Sequence, residues 1–259
     1  MYKLSIVTIT LNSEKYLEQT ILSVIGQTFD NIEYIVVDGG STDGTLDIIR
    51  KYEHKVDRWI SEPDVGIADA MNKAVAMATG DFVYFLHSDD YLENEEAIEQ
   101  ACEHLTANED IFLFSIYLEK DGNKVMYRPR GFNAWINFKN GVYHQSVICS
   151  RRLIEAIGNF DTSFRIGMDY DFFLRAYRQG VKARIVDIPI ATMRLVGISS
   201  QTDWPSLRER FAEERRLQRK NCQPIGMRMI YAAYWLLYLP FRRLRYLMQE
   251  QKTGHSDDR

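Results

Sequence analysis

The chain has few of the features that hold small secreted or membrane proteins together. Its three cysteines, Cys102, Cys149 and Cys222, are odd in number and far apart, which excludes a disulfide framework and offers no spaced zinc ligands. A reducing, cytoplasmic setting is therefore expected. The apolar stretch in MYKLSIVTIT is too short and too β-branched for a secretory signal and runs straight into polar residues. The longest apolar run, IYAAYWLLYLPF at 230–241, would cover roughly 18 Å as a helix, against roughly 30 Å for a bilayer core. It is too short to span a membrane alone. There is no internal repeat, no low-complexity tract, no GK[ST] phosphate loop and no G-x-G-x-x-G fingerprint. An excess of positive charge is also missing, since the net charge is −4, which argues against nucleic acid as a partner.

With 46% hydrophobic residues over 259 positions, the chain can bury a large single core. Short β-branched runs at 4–10, 32–38, 56–61 and 82–86 predict strands. Between them, apolar residues at three- and four-residue spacing predict helices over 16–25, 45–52 and 68–78, with Asp43 placed to cap the second. This alternation predicts an open α/β fold with a central, mostly parallel sheet flanked by helices. Beyond it, 111–118 and 124–128 read as a hairpin around Asp121-Gly122, 142–149 as a strand and 169–179 as a helix. Two helical stretches follow residue 206, so the expected division is an α/β domain over 1–200 and a helical extension over 201–259.

Ligands of open α/β sheets collect beyond the carboxyl ends of the strands. There the chain places Asn12-Ser13, the loop Asp38-Gly39-Gly40-Ser41-Thr42-Asp43-Gly44, and His87-Ser88-Asp89-Asp90. Asp89 and Asp90 follow a strand of bulky apolar residues, where like charges raise each other's pKa and a hard cation such as Mg²⁺ or Mn²⁺ relieves them. Capping of the next helix is the plainer alternative. Glycines after Asp38 permit close approach of a phosphate or base, although such turns also occur for purely structural reasons. In Gly167-Met168-Asp169-Tyr170-Asp171 the two acids lie two residues apart on a helix and point in different directions. Asp169 is the crevice candidate, and Asp171 is suited to a structural pair with Arg175 four residues on.

Taken in order, SIVTITLNS, QTFDNIEYIVVDGGSTDGT, EPDVGIADAMNKAVAMATGD, FLHSDD and MDYDFFLRAYRQG resemble the landmarks of family 2 glycosyltransferases over about residues 3–200. The D-x-GI-x-DAMNK run is similar to the bacterial branch acting in capsule, exopolysaccharide and O-antigen assembly. The resemblance implies a GT-A fold and transfer of a sugar from a nucleotide donor, commonly a UDP-sugar, by an inverting single displacement. It implies Asp169 as the catalytic base and Thr8, Asp38, Lys73 and Asp89 as contacts of the donor nucleotide. Asp89 and Asp90 would hold the divalent cation, Mg²⁺ or Mn²⁺.

This sequence departs from the family pattern at Met168, where a Glu is usual before the base, at Met71, where an Arg is common, and at His87. MRLVGISS lacks the histidine that some members place there. His144 in YHQS resembles a His-Gln pair near the acceptor, although a lone histidine is more often structural. A sugar nucleotidyltransferase would need a basic, Gly-rich amino-terminal loop that SIVTITLNSE does not have. A catalytically inactive nucleotide-sugar-binding scaffold remains the alternative, against which stands the retention of Asp38, Asp89, Asp90 and Asp169.

From 205 to 252 eleven Lys or Arg face four Glu. Within this segment, residues 226–250 mix aromatic, Leu and Met side chains with arginines, the composition of a helix lying in a membrane interface. Peripheral membrane contact through 226–250 is expected, at the inner face of the cytoplasmic membrane, with a saccharide or polyprenyl-linked saccharide as acceptor. Packing on the core or on a second subunit is the competing expectation for this helix.

Overall fold

The computed structural model describes residues 2–197, 200–222 and 224–254. Ile198 and Ser199 of the MRLVGISS stretch, Gln223 between the last two helices and residues 255–259 of the extension lie outside the described residues. The first half runs β1 (Leu4–Thr10), α1 (Leu17–Ile25), β2 (Ile32–Asp38), α2 (Thr45–Tyr52), β3 (Arg58–Ser61), α3 (Ile67–Met77) and β4 (Phe82–Phe85). The chain continues with β5 (Tyr91–Leu92), α4 (Ala97–Cys102), β6 (Ile111–Lys120), β7 (Asn123–Tyr127), β8 (Val147–Ser150), α5 (Arg151–Ile157) and α6 (Met168–Arg178). It closes with β9 (Ala183–Arg194), α7 (Trp204–Lys220) and α8 (Ile225–Gly254).

One sheet carries all the strands in the order β3-β2-β1-β4-β8-β6-β9-β5, with β7 paired to β6 outside that path. Ladders from β3 to β4 are parallel. Beyond β4 the sheet is mixed: β8 runs antiparallel to β4 and β6, while β9 is parallel to β6. The parallel character expected of most of the sheet is carried by its first half, and the hairpin expected around Asp121-Gly122 forms as the antiparallel β6–β7 pair. Strands covered on both faces need apolar residues at almost every position. In β1, Leu4 and Ile6 pack with α1 and α2 on one face, and Val7 and Ile9 pack with α3 and α6 on the other.

Two strands of the second half escaped the sequence pattern. β9 contains Pro189, which has no N–H to give a ladder, and the β6–β9 register slips where Pro189 stands opposite Ser115. β5 is only two residues long. The strand expected over 142–149 starts at Val147, because Ser146 bonds back to the Tyr143 carbonyl through both its N–H (2.9 Å) and its hydroxyl (2.7 Å). Residues His144–Ser146 thus form a single 3₁₀ turn.

α7 packs into the core beneath the sheet. Leu217 is fully buried in the core that contains α6, and Gln218 donates to the Tyr170 hydroxyl at 3.1 Å. Glu213 accepts the amides of Arg165, Ile166 and Gly167 at 2.7, 2.8 and 2.9 Å, fixing the turn that leads into α6. A side chain at position 167 would stand 2.9 Å from Leu217, so this close approach requires Gly167. α8 packs on α7 through Tyr231 and Trp235 against Leu207 and Phe211.

Candidate active site

Parallel pairing puts the carboxyl ends of β1, β2 and β3 in one row, with Thr10 opposite Asp38 and Asp38 opposite Ser61. The loops that follow are fastened to one another. Asn12 N–H donates to Ser41 Oγ at 2.7 Å, Thr42 N–H donates to Asn12 Oδ1 at 2.9 Å, and the Ser13 and Ser88 hydroxyls are 2.8 Å apart. The three edges that the sequence assigned to one crevice are brought together. Asp43 accepts Thr45 N–H at 3.0 Å and so caps α2 as expected.

Asp38 is fully buried, and its two oxygens accept the N–H groups of Gly40 and Ser41 and the hydroxyls of Ser41 and Ser61 at 2.5–3.1 Å. Four donors fill a carboxylate's capacity, so the visible task of Asp38 is to shape the 39–41 loop. A Cβ at Gly39 would come within 2.3 Å of Asp64 Oδ2. This explains the second residue of the DGG run: Asp64 occupies the space a side chain there would need. Lys73 on α3 pairs with Glu62 at 3.0 Å and Asp69 at 3.3 Å and donates to the Pro63 carbonyl at 2.9 Å. It braces the loop that packs on Gly40. Thr8 is fully buried, with its hydroxyl 3.1 Å from that of Tyr34. Its side chain is spent in the packing of β1 against β2, whereas the buried hydroxyl of Thr10, two residues on, has no partner among the described residues.

The acidic pair after β4 divides into two different groups. Asp90 is 1% exposed and accepts Gln145 Nε2 at 2.8 Å and Arg194 N–H at 3.0 Å. Burial and the neighbouring Asp89 charge push its carboxyl well above the usual range, against the bonds from Gln145 and Arg194. With both oxygens committed, Asp90 fits an internal brace, and the direct metal contact expected of it does not suit these bonds. Asp89 is only partly buried, and among the described residues no other side chain donates to its carboxylate. Burial raises its pKa, while the His144 and Arg194 charges oppose the rise.

Asp169 opens α6 within the first turn. Its Oδ1 accepts Tyr170 N–H at 2.6 Å, while Oδ2 takes a 3.3 Å contact from Asn140 Nδ2 and lies 3.7 Å from His144 Nδ1. One oxygen is fixed and the other is presented. Asp171 is 1% exposed, pairs with Arg175 at 2.8 Å and accepts Asn221 Nδ2 at 2.6 Å, the structural role its spacing predicted. His144 connects the two sides of the crevice, since it faces Asp169 and its ring centroid is 4.1 Å from that of His87. Burial, with a smaller effect from the adjacent His144, drives the His87 pKa well below its ordinary value.

Four buried polar atoms have no hydrogen-bond partner among the described residues: Thr10 Oγ1, His87 Nε2, His144 Nε2 and Gln145 Oε1. All belong to the segments that surround Asp89 and Asp169. Native proteins rarely leave such atoms unpaired unless a ligand, ion or water completes them. No group of three His, Cys, Asp or Glu among the described residues is arranged to hold a metal by itself. The donor set therefore fits a hard cation that takes Asp89 and completes its shell with phosphate oxygens, and does not fit an all-protein metal cage.

Two contributors were not visible in the sequence reading. Arg194, at the end of β9, donates to the Asp89 carbonyl at 2.6 Å, lies 3.5 Å from Glu119, and has its guanidinium over the rings of Tyr16 and Tyr91 at 4.8 and 4.5 Å. Glu214 on α7 feels the Asp169 charge. Burial, with Asp169 adding to it, pushes Glu214 up to about 7 against Arg210, Lys139 and Arg242. Nothing in MRLVGISS or in the charge run of α7 singles out either residue, because their partners are remote in sequence.

Residues 5–179 match the family model described as Glycosyl transferase family 2. The chain belongs to this family and is a family 2 glycosyltransferase. It is 34% identical over 180 residues to an uncharacterized glycosyltransferase of Mycobacterium tuberculosis (strain ATCC 25618 / H37Rv), covering 66% of this chain and 68% of that protein. Among solved structures, S. aureus TarS superposes with a TM-score of 0.65 at 25% identity over 83% of this chain, which spans only 39% of the TarS chain. Residues 1–349 of TarS in complex with UDP-GlcNAc give a TM-score of 0.69 at 24% identity, over 91% of this chain and 73% of that one. The mannosyltransferase PcManGT from Pyrobaculum calidifontis, in complex with GDP-Man and Mn²⁺, gives 0.69 at 17% identity, over 98% and 75%. The fold is GT-A, with helices on both sides of a mixed sheet and a helical carboxyl-terminal part.

Proposed function

We propose that this enzyme moves a sugar from a nucleoside diphosphate donor, a UDP-sugar, to a hydroxyl of a saccharide or polyprenyl-linked acceptor, with inversion at the anomeric carbon. The observation that carries the reading is the set of unpartnered buried atoms Thr10 Oγ1, His87 Nε2 and His144 Nε2 on the segments that carry or face Asp89 and Asp169. The 39–41 loop, held by Asp38, takes the nucleotide base, with Lys73 bracing its neighbour. Asp89 is the protein's ligand for Mg²⁺ or Mn²⁺, and Asp90 supports it from beneath through Gln145 and Arg194. When bound, the cation neutralises charge gathering on the leaving diphosphate. Asp169 Oδ2 accepts the acceptor hydroxyl's proton as its oxygen attacks, while the Tyr170 amide keeps Oδ1 in place. Asn140 and His144 set the direction of that carboxylate.

The GT-A unit of 1–200 carries these residues, and the 201–259 extension buttresses α6 through Glu213. The complexes of the solved neighbours, with UDP-GlcNAc in one and GDP-Man with Mn²⁺ in the other, support a nucleotide-sugar donor and a divalent cation. Work in cell-surface polysaccharide assembly, at the inner face of the cytoplasmic membrane, completes the proposal. To test it, purified protein is incubated with a panel of nucleotide sugars and Mg²⁺ or Mn²⁺, and nucleoside diphosphate release is measured. Metal-dependent release from one donor, lost in Asp169→Asn, is expected. Absence of both binding and release across the panel, even with membrane extract supplying acceptor, would sink the proposal.

A further inference from the structure

α8 is apolar on two opposite faces. One packs on α7, through Tyr231, Trp235 and Tyr238. The other carries Met229, Ile230, Leu236, Leu237, Phe241 and Leu244, each at least half exposed, with Leu236 and Leu237 at 75% and 72%. At 100° per residue these six fall within one outward sector, with no charged residue among them. From 225 to 249 the helix has four arginines and no acidic residue.

Beside this face, between α7 and α8, lies a cavity of about 460 Å³ lined by Arg215, Arg219, Arg228, Tyr231, Ala232 and Trp235. Ala232 is three residues after Met229 and four before Leu236, so the cavity opens at the edge of the apolar sector. None of its three arginines makes an ion pair among the described residues. Among the described residues Arg228 donates to the Cys222 carbonyl, at 3.3 Å. Arginines that line a cavity and have no ion-pair partner among the described residues suit a phosphate group.

We propose that the outward face of α8 and the Arg215–Arg219–Arg228 cavity together dock the protein on an anionic phospholipid bilayer, with a lipid phosphate in the cavity. The apolar sector enters the headgroup boundary and the arginines meet the phosphates beside it. No helix among the described residues is long and apolar enough to cross a membrane, which agrees with a helix lying in the surface. A second copy fits the face less well. A two-fold contact brings the same patch from each copy together, and so sets arginine rim against arginine rim with no carboxylate on 225–249 to separate them. The inference deepens the membrane placement in the proposed function, and vesicle binding tests it independently of the sugar transfer.

Cosedimentation of the full chain with vesicles tests it, comparing phosphatidylglycerol-rich with pure phosphatidylcholine vesicles over a range of salt. Wild type is expected to pellet with the anionic vesicles only, and less so as salt rises. Leu237→Glu/Leu244→Glu is expected to stay in the supernatant. Arg215→Gln/Arg219→Gln/Arg228→Gln is expected to bind on the order of a hundredfold more weakly, at roughly fivefold per arginine. Circular dichroism and thermal unfolding matching wild type establish that both variants fold. Wild type that ignores anionic vesicles, or variants that bind like wild type, would overturn the proposal. So would a concentration-dependent dimer abolished by Leu237→Glu/Leu244→Glu, which gives the face to a second copy. Stabilisation by inorganic phosphate through the three arginines without vesicle binding would also overturn it, reducing the cavity to a soluble-anion site.

Discussion

The two ends of the parallel strands treat buried polar groups in opposite ways. At the amino end Glu33 is 3% exposed, yet every oxygen is used: Ser5 Oγ donates at 2.6 Å, Thr79 N–H and Oγ1 at 2.7 and 2.6 Å, and Lys3 Nζ at 3.3 Å. Against burial, which would raise it, these bonds hold Glu33 at about 2. At the carboxyl end Thr10, His87 and His144 each keep a buried polar atom without a partner, and Asp89 is raised by burial without enough donors to offset it. A completed network stabilises the fold, whereas an incomplete one costs stability unless something else completes it. On this comparison one end of the sheet is structural, and the other is the end proposed to bind the donor.

Substitutions that separate chemistry from folding test the contrast, beginning with the largest effect. Asp169→Asn is expected to lower the transfer rate by roughly 10²–10⁴, the usual worth of a positioned base, with the melting temperature within a degree or so of wild type. Initial rates with the released nucleoside diphosphate, beside differential scanning fluorimetry, would show this. Asp89→Asn should weaken donor binding in Mn²⁺ by about a hundredfold, because a cation at the diphosphate is worth several kcal/mol. Calorimetric titration of nucleoside diphosphate with and without Mn²⁺ measures it, and equal affinities in both proteins would remove Asp89 from the metal site.

At the other end, Glu33→Ala should cost about 3 kcal/mol by stripping Ser5, Thr79 and Lys3 of their acceptor. A urea midpoint reports the loss, while activity well below that midpoint stays near wild type. A comparable fall in activity at full folding would break the division between the ends.

The smallest expected effect is a pH dependence. The folded-state pKa of Glu33 is depressed, so its contribution is present above 4.5 and is lost as pH falls towards about 2. Glu214 has the opposite sign. Its folded pKa of about 7 exceeds the ordinary 4.5, so ionising it costs stability that accumulates as pH rises from 4.5 to about 7. Glu214→Gln should therefore leave the melting temperature unchanged near pH 4.5 and raise it by a few degrees at pH 8. An unchanged difference between those pH values would show that Glu214 is not buried as described.

Much of the carboxyl end was legible because buried parallel strands leave long β-branched runs. The expected limits of 4–10 and 32–38 coincide with β1 and β2, and the pairing of Asp171 with Arg175 followed from their four-residue spacing. The rest depends on contacts between remote residues. Whether Asp90 binds a metal or braces its neighbour is decided by Gln145 and Arg194, which lie 55 and 104 residues away in the chain. The turn that aims His144 at Asp169 interrupts what the pattern read as one strand. Glu213 looks like one more charge on α7 until its three backbone partners ahead of α6 are seen.

The most direct test is a crystal structure with UDP and Mn²⁺ bound. The account predicts the uracil on the 39–41 loop and the cation between Asp89 and the diphosphate. Thr10, His87 and His144 should then find their missing partners in the ligand or its water. Nucleotide bound elsewhere, or a diphosphate at this end with Asp89 turned away and the three atoms still unpaired, would contradict it.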